Sequence, residues 1–394
     1  MEGIARIVPE LDAWRDELTA WRRDLHAHPE LAYEEKRTSS FVASELRKLG
    51  LDVDVGLART GVVATLAAGD GPSVGLRADM DALPIHEANR FAHRSRFDGR
   101  MHACGHDGHT VMLLAAARAL VARGRVRGTV RFIFQPAEEA AGGADAMIRE
   151  GLLERFPVDR VFGMHNWPGL PAGTFAMRPG PIMASIDAFD ARIVGRGTHG
   201  ALPHHGVDPI VAASHAIVAL QSIVGRNVDP RHAAVVSVTK IRGGDARNVI
   251  PDTVELGGAL RALDPDTRAK LKARLAEILC GVAESLGAHA ELEYVHEVPP
   301  VMNDAGAVEL AASAASRVVG AERVETSAEP VLASEDFALM LERRPGAFVF
   351  IGNGDGEGSC TIHSPSYDFN DEILPIGASY WVQLAEALAG DGAA

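Results

Sequence analysis

Cysteine is scarce in this chain: three in 394 residues, Cys104, Cys280 and Cys360, far apart in sequence. That excludes a disulfide framework. Apolar runs are short. None approaches the roughly 20 residues that cross a bilayer, so no membrane-spanning helix is expected. Basic residues are in the minority. Lys and Arg number 39 against 53 Asp and Glu, the net charge is −14, and no Lys/Arg block interrupts the acidic background. Nucleic acid is therefore not an expected partner. The opening stretch MEGIARIVPELDAWRDEL has neither the basic start nor the apolar core of a secretory leader, so a cytoplasmic protein is the expectation. HExxH and paired CxxC motifs are absent, as are repeats and low-complexity segments.

What is present is ordinary globular composition, 47% apolar and 23% charged, enough for two or three cores. Leu11 to Lys48 reads as helix, interrupted near Pro29. Strand-like and helix-like segments then alternate: VVATLAA, SVGLRADM, a helix over 110–122, GTVRFIFQ, the helical ADAMIREGLL, and RVFGMHN. This alternation predicts an α/β fold with a mostly parallel sheet. From about Ile186 the pattern becomes strand, helix, strand, strand, helix, strand, the split ferredoxin-like βαββαβ unit. Its second helix follows Asp264 as cap, with Leu271, Leu275, Ile278, Val282 and Leu286 on one face and Gly287 at its end. The α/β alternation returns after PPVMND, with a helix from Ala305, the strand AFVFIGNG and a last helix from Leu374. The expected division is therefore 1–183 and 298–394 as one domain, with 184–297 inserted as a second, α+β one. The exposed sheet edge and helical faces of that insert make it the expected dimer surface. The Gly/Ala tail after Leu388 is expected to fray.

The chemistry concentrates at predicted strand ends, where open α/β sheets carry their sites. Asp79 and Asp81 end one strand, Glu138 and Glu139 follow another, His165 ends a third, and His363 follows AFVFIGNG. The stretch HACGHDGHT places His102, Cys104, His106, Asp107 and His109 within nine positions, in the expected loop before a helix. Cys, His and Glu together suit one or two borderline-soft divalent ions. A single histidine is more often structural than a ligand, and His26, His28, His86, His93, His215, His232, His289 and His296 fall in that class. The adjacent pair Glu138–Glu139 carries more weight. One carboxylate can bind an ion while its neighbour takes a proton from water, which a closed structural site does not need.

The segments RADMDALP, MHACGHDGHT, FQPAEE, GMHNWP, GRGTHGALPH, RNVIPD, SEDFA and IHSPSYDFND occur in this order. With them the chain resembles the dinuclear metallopeptidase/amidohydrolase family of hippurate hydrolases, N-acyl-amino-acid amidohydrolases and auxin–amino-acid conjugate hydrolases. The resemblance covers essentially the whole chain. It implies a catalytic domain with an inserted lid and dimerisation domain. It also implies two divalent ions per subunit, zinc or manganese with cobalt or nickel as variants, held by Cys104, His106, Glu139, His165 and His363. Glu138 then matches the general base and Asp81 an orienting carboxylate behind the site. His199 matches a residue that polarises the scissile carbonyl from the other subunit of a homodimer, with a tetramer as a further possibility. Asn248 and Arg261 match groups that hold the substrate carboxylate. His102 and His109 are expected behind the ligands rather than among them, and Asp79 falls where other branches of the superfamily have a histidine ligand, a place that His106 is expected to fill here. The implied activity is hydrolysis of N-acyl amino acids to a carboxylic acid and a free amino acid. A dipeptidase, an N-acetyl-diaminopimelate deacetylase and a non-catalytic metal-binding protein are the alternatives.

Overall fold

The computed structural model describes residues 5–139, 142–355 and 360–389. The tail expected to fray lies, beyond Ala389, outside the described residues. Chain contacts divide the molecule into two compact units, Met1–Gly180 with Met302–Glu329 and Leu339–Ala394, and Pro181–Val301 with Pro330–Ala338. No helix among the described residues is long and apolar enough to cross a membrane.

The larger unit is built on an eight-stranded sheet. Its order is Asp52–Leu57, Gly61–Ala67, Thr129–Gln135, Ser73–Asp79, Arg160–Pro168, Gly346–Gly354, Phe175–Ala176, Val324–Glu325. The four central strands, from Thr129–Gln135 to Gly346–Gly354, run parallel. The first two strands pair antiparallel at one edge. The helix His106–Arg123 is buried on nearly every side. That is why its sequence shows no polar stripe and reads as almost continuously apolar after Thr110. It packs against the N-terminal helix Arg15–Ala27 and the C-terminal helix Leu374–Ala389.

That helix starts four residues earlier than expected. HACGHDGHT is not all loop: Gly105 opens the helix with φ 97°, and His106, Asp107 and His109 sit on its first turn. Two glycines make this possible. A Cβ on Gly105 would meet Asn166 Oδ1 at 2.3 Å, besides needing a left-handed backbone, and a Cβ on Gly108 would meet the Phe369 ring at 2.2 Å. Apolar periodicity begins only at Thr110, so it dates the helix too late.

The smaller unit is the βαββαβ arrangement, a four-stranded antiparallel sheet in the order Ala234–Arg242, Thr253–Ala262, Ile186–Val194, His289–Val298. Helices Pro209–Leu220 and Pro265–Ser285 pack together and onto this sheet, over Phe189, Ile193, Ala216, Leu256 and Leu275. Asp264 caps the second helix through the Thr267 N–H, at 2.8 Å. The buried line on that helix is Leu271, Leu275, Leu279 and Ala283, whereas Leu286 is exposed. The buried face is thus rotated from the expected one, because burial follows the i, i+4 ridge. Residues 330–338 were expected in the larger domain, but they pack here. Ala184 donates its N–H to the Ala333 carbonyl and Val331 donates to Ile182, both at 2.9 Å. Such a nine-residue return leaves no periodic signal.

Candidate metal centre

The carboxyl ends of the parallel strands deliver the candidate residues, as the topology requires. Ser73–Asp79 leads to Asp81, and Thr129–Gln135 leads to Glu138 and Glu139. His165 lies inside its strand, which continues to Pro168. His363 lies on the loop after Gly346–Gly354, and its backbone N–H donates to the Ala103 carbonyl at 2.7 Å.

These residues converge within the larger unit. The donor atoms of Cys104, His106 and His165 lie within 4.8 Å of one another, as do those of Cys104, Glu139 and His363, and those of His106, Glu138 and Glu139. Cys104 belongs to two of these groups. Its Sγ is 3.3 Å from His165 Nε2. His363 Nε2 is 3.2 Å from Glu139 Oε1.

Each imidazole is turned by a partner behind it. His165 Nδ1–H donates to the Asn166 carbonyl at 2.6 Å, which leaves its Nε2 lone pair facing Cys104. Burial also pushes His165 well below the usual histidine range, so it stays neutral. His106 Nδ1 lies 3.3 Å from Asp81 Oδ1, so its Nε2 faces the cluster. Carboxylate–imidazole pairs of this kind fix the ligand tautomer. A fourth group, Asp79, His106 and His109, is closed off. His109 Nδ1 is bound to Asp79 at 2.6 Å and its Nε2 to Asn166, while Arg77 donates to Asp79 at 2.7 Å. Asp79 and His109 therefore stand behind the site.

The electrostatics ask for a cation. Burial pushes the Cys104 thiol well up, and Glu139, Glu138 and Asp79 add to that. Burial opposes charge on His106, yet Asp79, Asp81 and Glu139 outweigh it and push this imidazole up to about 10. Among the described residues, Glu139 Oε1 and both ring nitrogens of His106 are buried without a well-formed hydrogen bond, Nδ1 having only the 3.3 Å approach of Asp81. Unpaired buried groups of this polarity are costly, and a divalent ion satisfies them together. The donor set fits such an ion.

Asp81 organises the carboxylate pair. Its Oδ1 accepts the Glu138 N–H at 3.0 Å and its Oδ2 accepts the Glu139 N–H at 3.1 Å. Ala137, just before them, has φ 55°, and His363 has φ 66°. Strained backbone of this type clusters where side chains must be aimed.

Behind the helix start lies a network that the sequence reading left among structural histidines. Fully buried Arg22 is 3.1 Å from Asp107 and pairs with Asp368, and His26 Nδ1 is 2.8 Å from Asp107. Burial alone would raise the Asp107 carboxyl, but Arg22 and His26 hold it well below the usual carboxylate range. The signal available was the HDxH spacing of His106, Asp107 and His109: a buried helix cannot carry an unpaired Asp in its first turn. His102 is buried with both ring nitrogens lacking a hydrogen-bond partner among the described residues. Burial pushes its pKa down to about 4.

The remaining expected residues lie in the smaller unit. Exposed His199 and Asn248 are neighbours: Thr198–His199 pairs with Val249–Ile250, and the Gly200 N–H donates to the Asn248 carbonyl at 2.7 Å. Arg261 is elsewhere. The Gly197 N–H donates to Asp252, just before the strand Thr253–Ala262, whereas Arg261 is next to the last residue of that strand. Nine residues of strand separate the two, about 30 Å at strand rise. Asn248, beside His199, and Arg261 therefore lie toward opposite ends of the small sheet. Arg261 is half-buried and donates to the Leu332 carbonyl at 2.8 Å.

Comparison with known proteins agrees with this architecture. A hippurate hydrolase of Campylobacter jejuni is 40% identical over 380 residues, 96% of this chain and 98% of the relative. An N-acetylcysteine deacetylase of Bacillus subtilis is 40% identical over 376 residues, 95% of this chain and 97% of the relative. A Bacillus subtilis crystal structure, described as a dinuclear metal-binding peptidase of the M20 family, superposes with TM-score 0.83. It is 37% identical and covers 96% of this chain and 99% of its own. The description of peptidase family M20/M25/M40 matches residues 75–387, and the chain belongs to that family.

Proposed function

We propose that this protein is a metal-dependent amidohydrolase that cleaves N-acyl amino acids to a carboxylic acid and a free amino acid. The observation that carries the reading is the Glu138–Glu139 turn beside the Cys104 cluster. Its two backbone N–H groups end on one carboxylate, Asp81, while its side chains share a ligand group with His106. A purely structural site has no use for the second glutamate.

Cys104, His106, Glu139, His165 and His363 would hold two divalent ions, Cys104 belonging to two of the donor groups. Bound divalent ions supply Lewis acidity, which polarises an amide carbonyl and makes a water easier to deprotonate. The rest falls to the chain. Glu138 takes a proton from the attacking water as its oxygen bonds to the amide carbon. The C–N bond then breaks, and Glu138 returns the proton to the departing nitrogen. Asp81 keeps Glu138 and Glu139 apart in aim and keeps His106 Nε2 facing the cluster.

Substrate recognition is completed by a second copy. Arg261 lies at the end of the small sheet where the chain enters at Ile186 and leaves at Val298, and His199 and Asn248 lie at the other end. A homodimer lets His199 and Asn248 of one chain serve the site of the other, with His199 donating to the developing oxyanion. Arg261 offers a planar fork for the free carboxylate. Aromatic acyl groups are the first candidates, because a hippurate hydrolase matches across nearly its whole length.

The test is amine release from benzoylglycine, N-acetylcysteine and an unblocked dipeptide after loading with Mn or Zn. Release from the acylated substrates is expected. Metal binding without turnover of any of the three would overturn the reading.

A further inference from the structure

We propose that Glu35 is a positioning residue for the Glu138–Glu139 turn, an inference that rests on the amidohydrolase reading for its catalytic consequence. Glu35 lies in the break between the helices Arg15–Ala27 and Lys36–Lys48 and is fully buried. A carboxylate there needs a reason. Its Oε1 accepts the Ala137 N–H at 2.9 Å and the Tyr33 N–H at 3.0 Å, and its Oε2 accepts the Thr60 hydroxyl at 2.6 Å.

The two backbone donors share an unusual feature. Tyr33 has φ 63° and Ala137 has φ 55°. Ala58 and Arg59, with φ 48° and 72°, directly precede Thr60. Five non-glycine residues among the described ones have left-handed backbone; two of them, Tyr33 and Ala137, donate to this one carboxyl group, and two more, Ala58 and Arg59, lead into its third donor, Thr60. Left-handed backbone is unfavourable for a residue with a Cβ and persists only where neighbours enforce it. Glu35 supplies that enforcement at Ala137. Asp81 then takes the next two N–H groups, those of Glu138 and Glu139. Three consecutive N–H groups are thus held by two buried carboxylates, and the direction in which Glu138 and Glu139 leave the backbone follows from them. Glu35 touches neither substrate nor ion. It acts through the turn.

The hydrogen-bond count makes charge dispensable. In Glu35→Gln the amide oxygen can take the place of Oε1, and the amide NH2 can donate to the Thr60 hydroxyl. Glu35→Ala removes every acceptor. Ala137→Gly removes the cost of the left-handed turn itself.

The experiment compares the wild-type protein, Glu35→Ala, Glu35→Gln and the double variant Glu35→Ala/Ala137→Gly. It reads kcat and KM on benzoylglycine, Mn affinity by competition with a chromogenic chelator, and hydrogen exchange of the peptide spanning the turn. Glu35→Ala is expected to lose about 10²-fold in kcat with little change in KM, the scale of a misplaced catalytic group. It should also bind Mn more weakly, through Glu139, and exchange faster at the turn. Glu35→Gln should behave as wild type, and Ala137→Gly should recover a measurable part of the Glu35→Ala losses. A Glu35→Gln as damaged as Glu35→Ala, or no recovery from Ala137→Gly, overturns the proposal. If Glu35→Ala does not fold, Glu35→Asp replaces it, keeping the charge and losing the reach. If the wild type turns over no N-acyl amino acid, the amidohydrolase reading fails by itself, and Mn affinity and exchange still decide the role of Glu35.

Discussion

The two units carry their candidate residues in opposite ways. In the larger unit, Cys104, His106 and His165 are buried, and both histidines are oriented from behind by Asp81 or a backbone carbonyl. In the smaller unit, His199 and Asn248 are exposed on a short two-stranded ribbon, and Arg261 is a sheet length away. The first set comes together within a single chain. The second, on the proposed function, would hold substrate only once two chains contribute. An ion site gains from rigidity, because donor geometry sets its affinity, whereas a substrate clamp must open and close.

The hardest test of this contrast is to remove the shared ligand. Cys104→Ala, or thorough chelation of the wild type, should abolish turnover, with Mn or Zn restoring only the wild type. Full activity in a metal-free preparation defeats the dinuclear assignment. Next, Glu138→Gln should keep bound metal and lose on the order of 10²–10⁴ in kcat, the range for a general base. Glu139→Gln should lose metal first. Metal analysis of both variants decides, and the reverse pattern exchanges their roles. The smaller unit is probed by mixing. Glu138→Gln and His199→Ala, each nearly inactive, should regain activity as heterodimers, because one site then has both residues intact. Heterodimers without activity, or a monomer by light scattering, return His199 to its own chain. A smaller effect is expected at the carboxylate clamp. Blocking benzoylglycine as its methyl ester should cost about 10–100-fold in kcat/KM, the value of charge-assisted hydrogen bonds. Equal turnover would remove Arg261 and Asn248 from substrate binding.

The smallest effect concerns stability. Burial alone would raise the Asp368 carboxyl, but Arg22 and His93 lower it. A carboxyl lowered on folding stabilises above its unfolded pKa of about 4, and that contribution fades as the pH falls below it. Asp368→Asn should therefore melt earlier than wild type near neutral pH, with the gap narrowing toward about pH 3. A constant gap across that range would show that Asp368 contributes by packing alone.

Much of this was legible in the sequence, for identifiable reasons. The parallel strands are short apolar runs bounded by turn residues, and the βαββαβ order survives in simple alternation. Asp81, Glu138, Glu139 and His363 follow strand ends, where topology puts candidate residues, whereas His165 lies three residues inside its strand. What escaped is what has no period. The helix at His106 begins with polar residues, so its first turn looks like loop. Residues 330–338 cross to the smaller unit without a regular element. Glu35 sits in a helix break, and Arg22 and His26 lie on a helix whose other members are unremarkable. Their partners, Ala137 and Asp107, are some 80 to 100 positions away, and no local pattern connects them. The separation of Asn248 from Arg261 is likewise invisible until the strand between them is laid out.

The burial of the His106–Arg123 helix has a consequence for how ions are exchanged. His106 cannot swing away without lifting a helix that is enclosed on nearly every side. His165 lies inside a central strand. Their local opening therefore costs more than that of an exposed loop. His363 stands on a loop with its side chain about half exposed. Of the proposed ligands it is the one that can let go while the core stays packed, so loading and loss of metal would proceed through its loop, at rates set by that loop rather than by the stability of the fold.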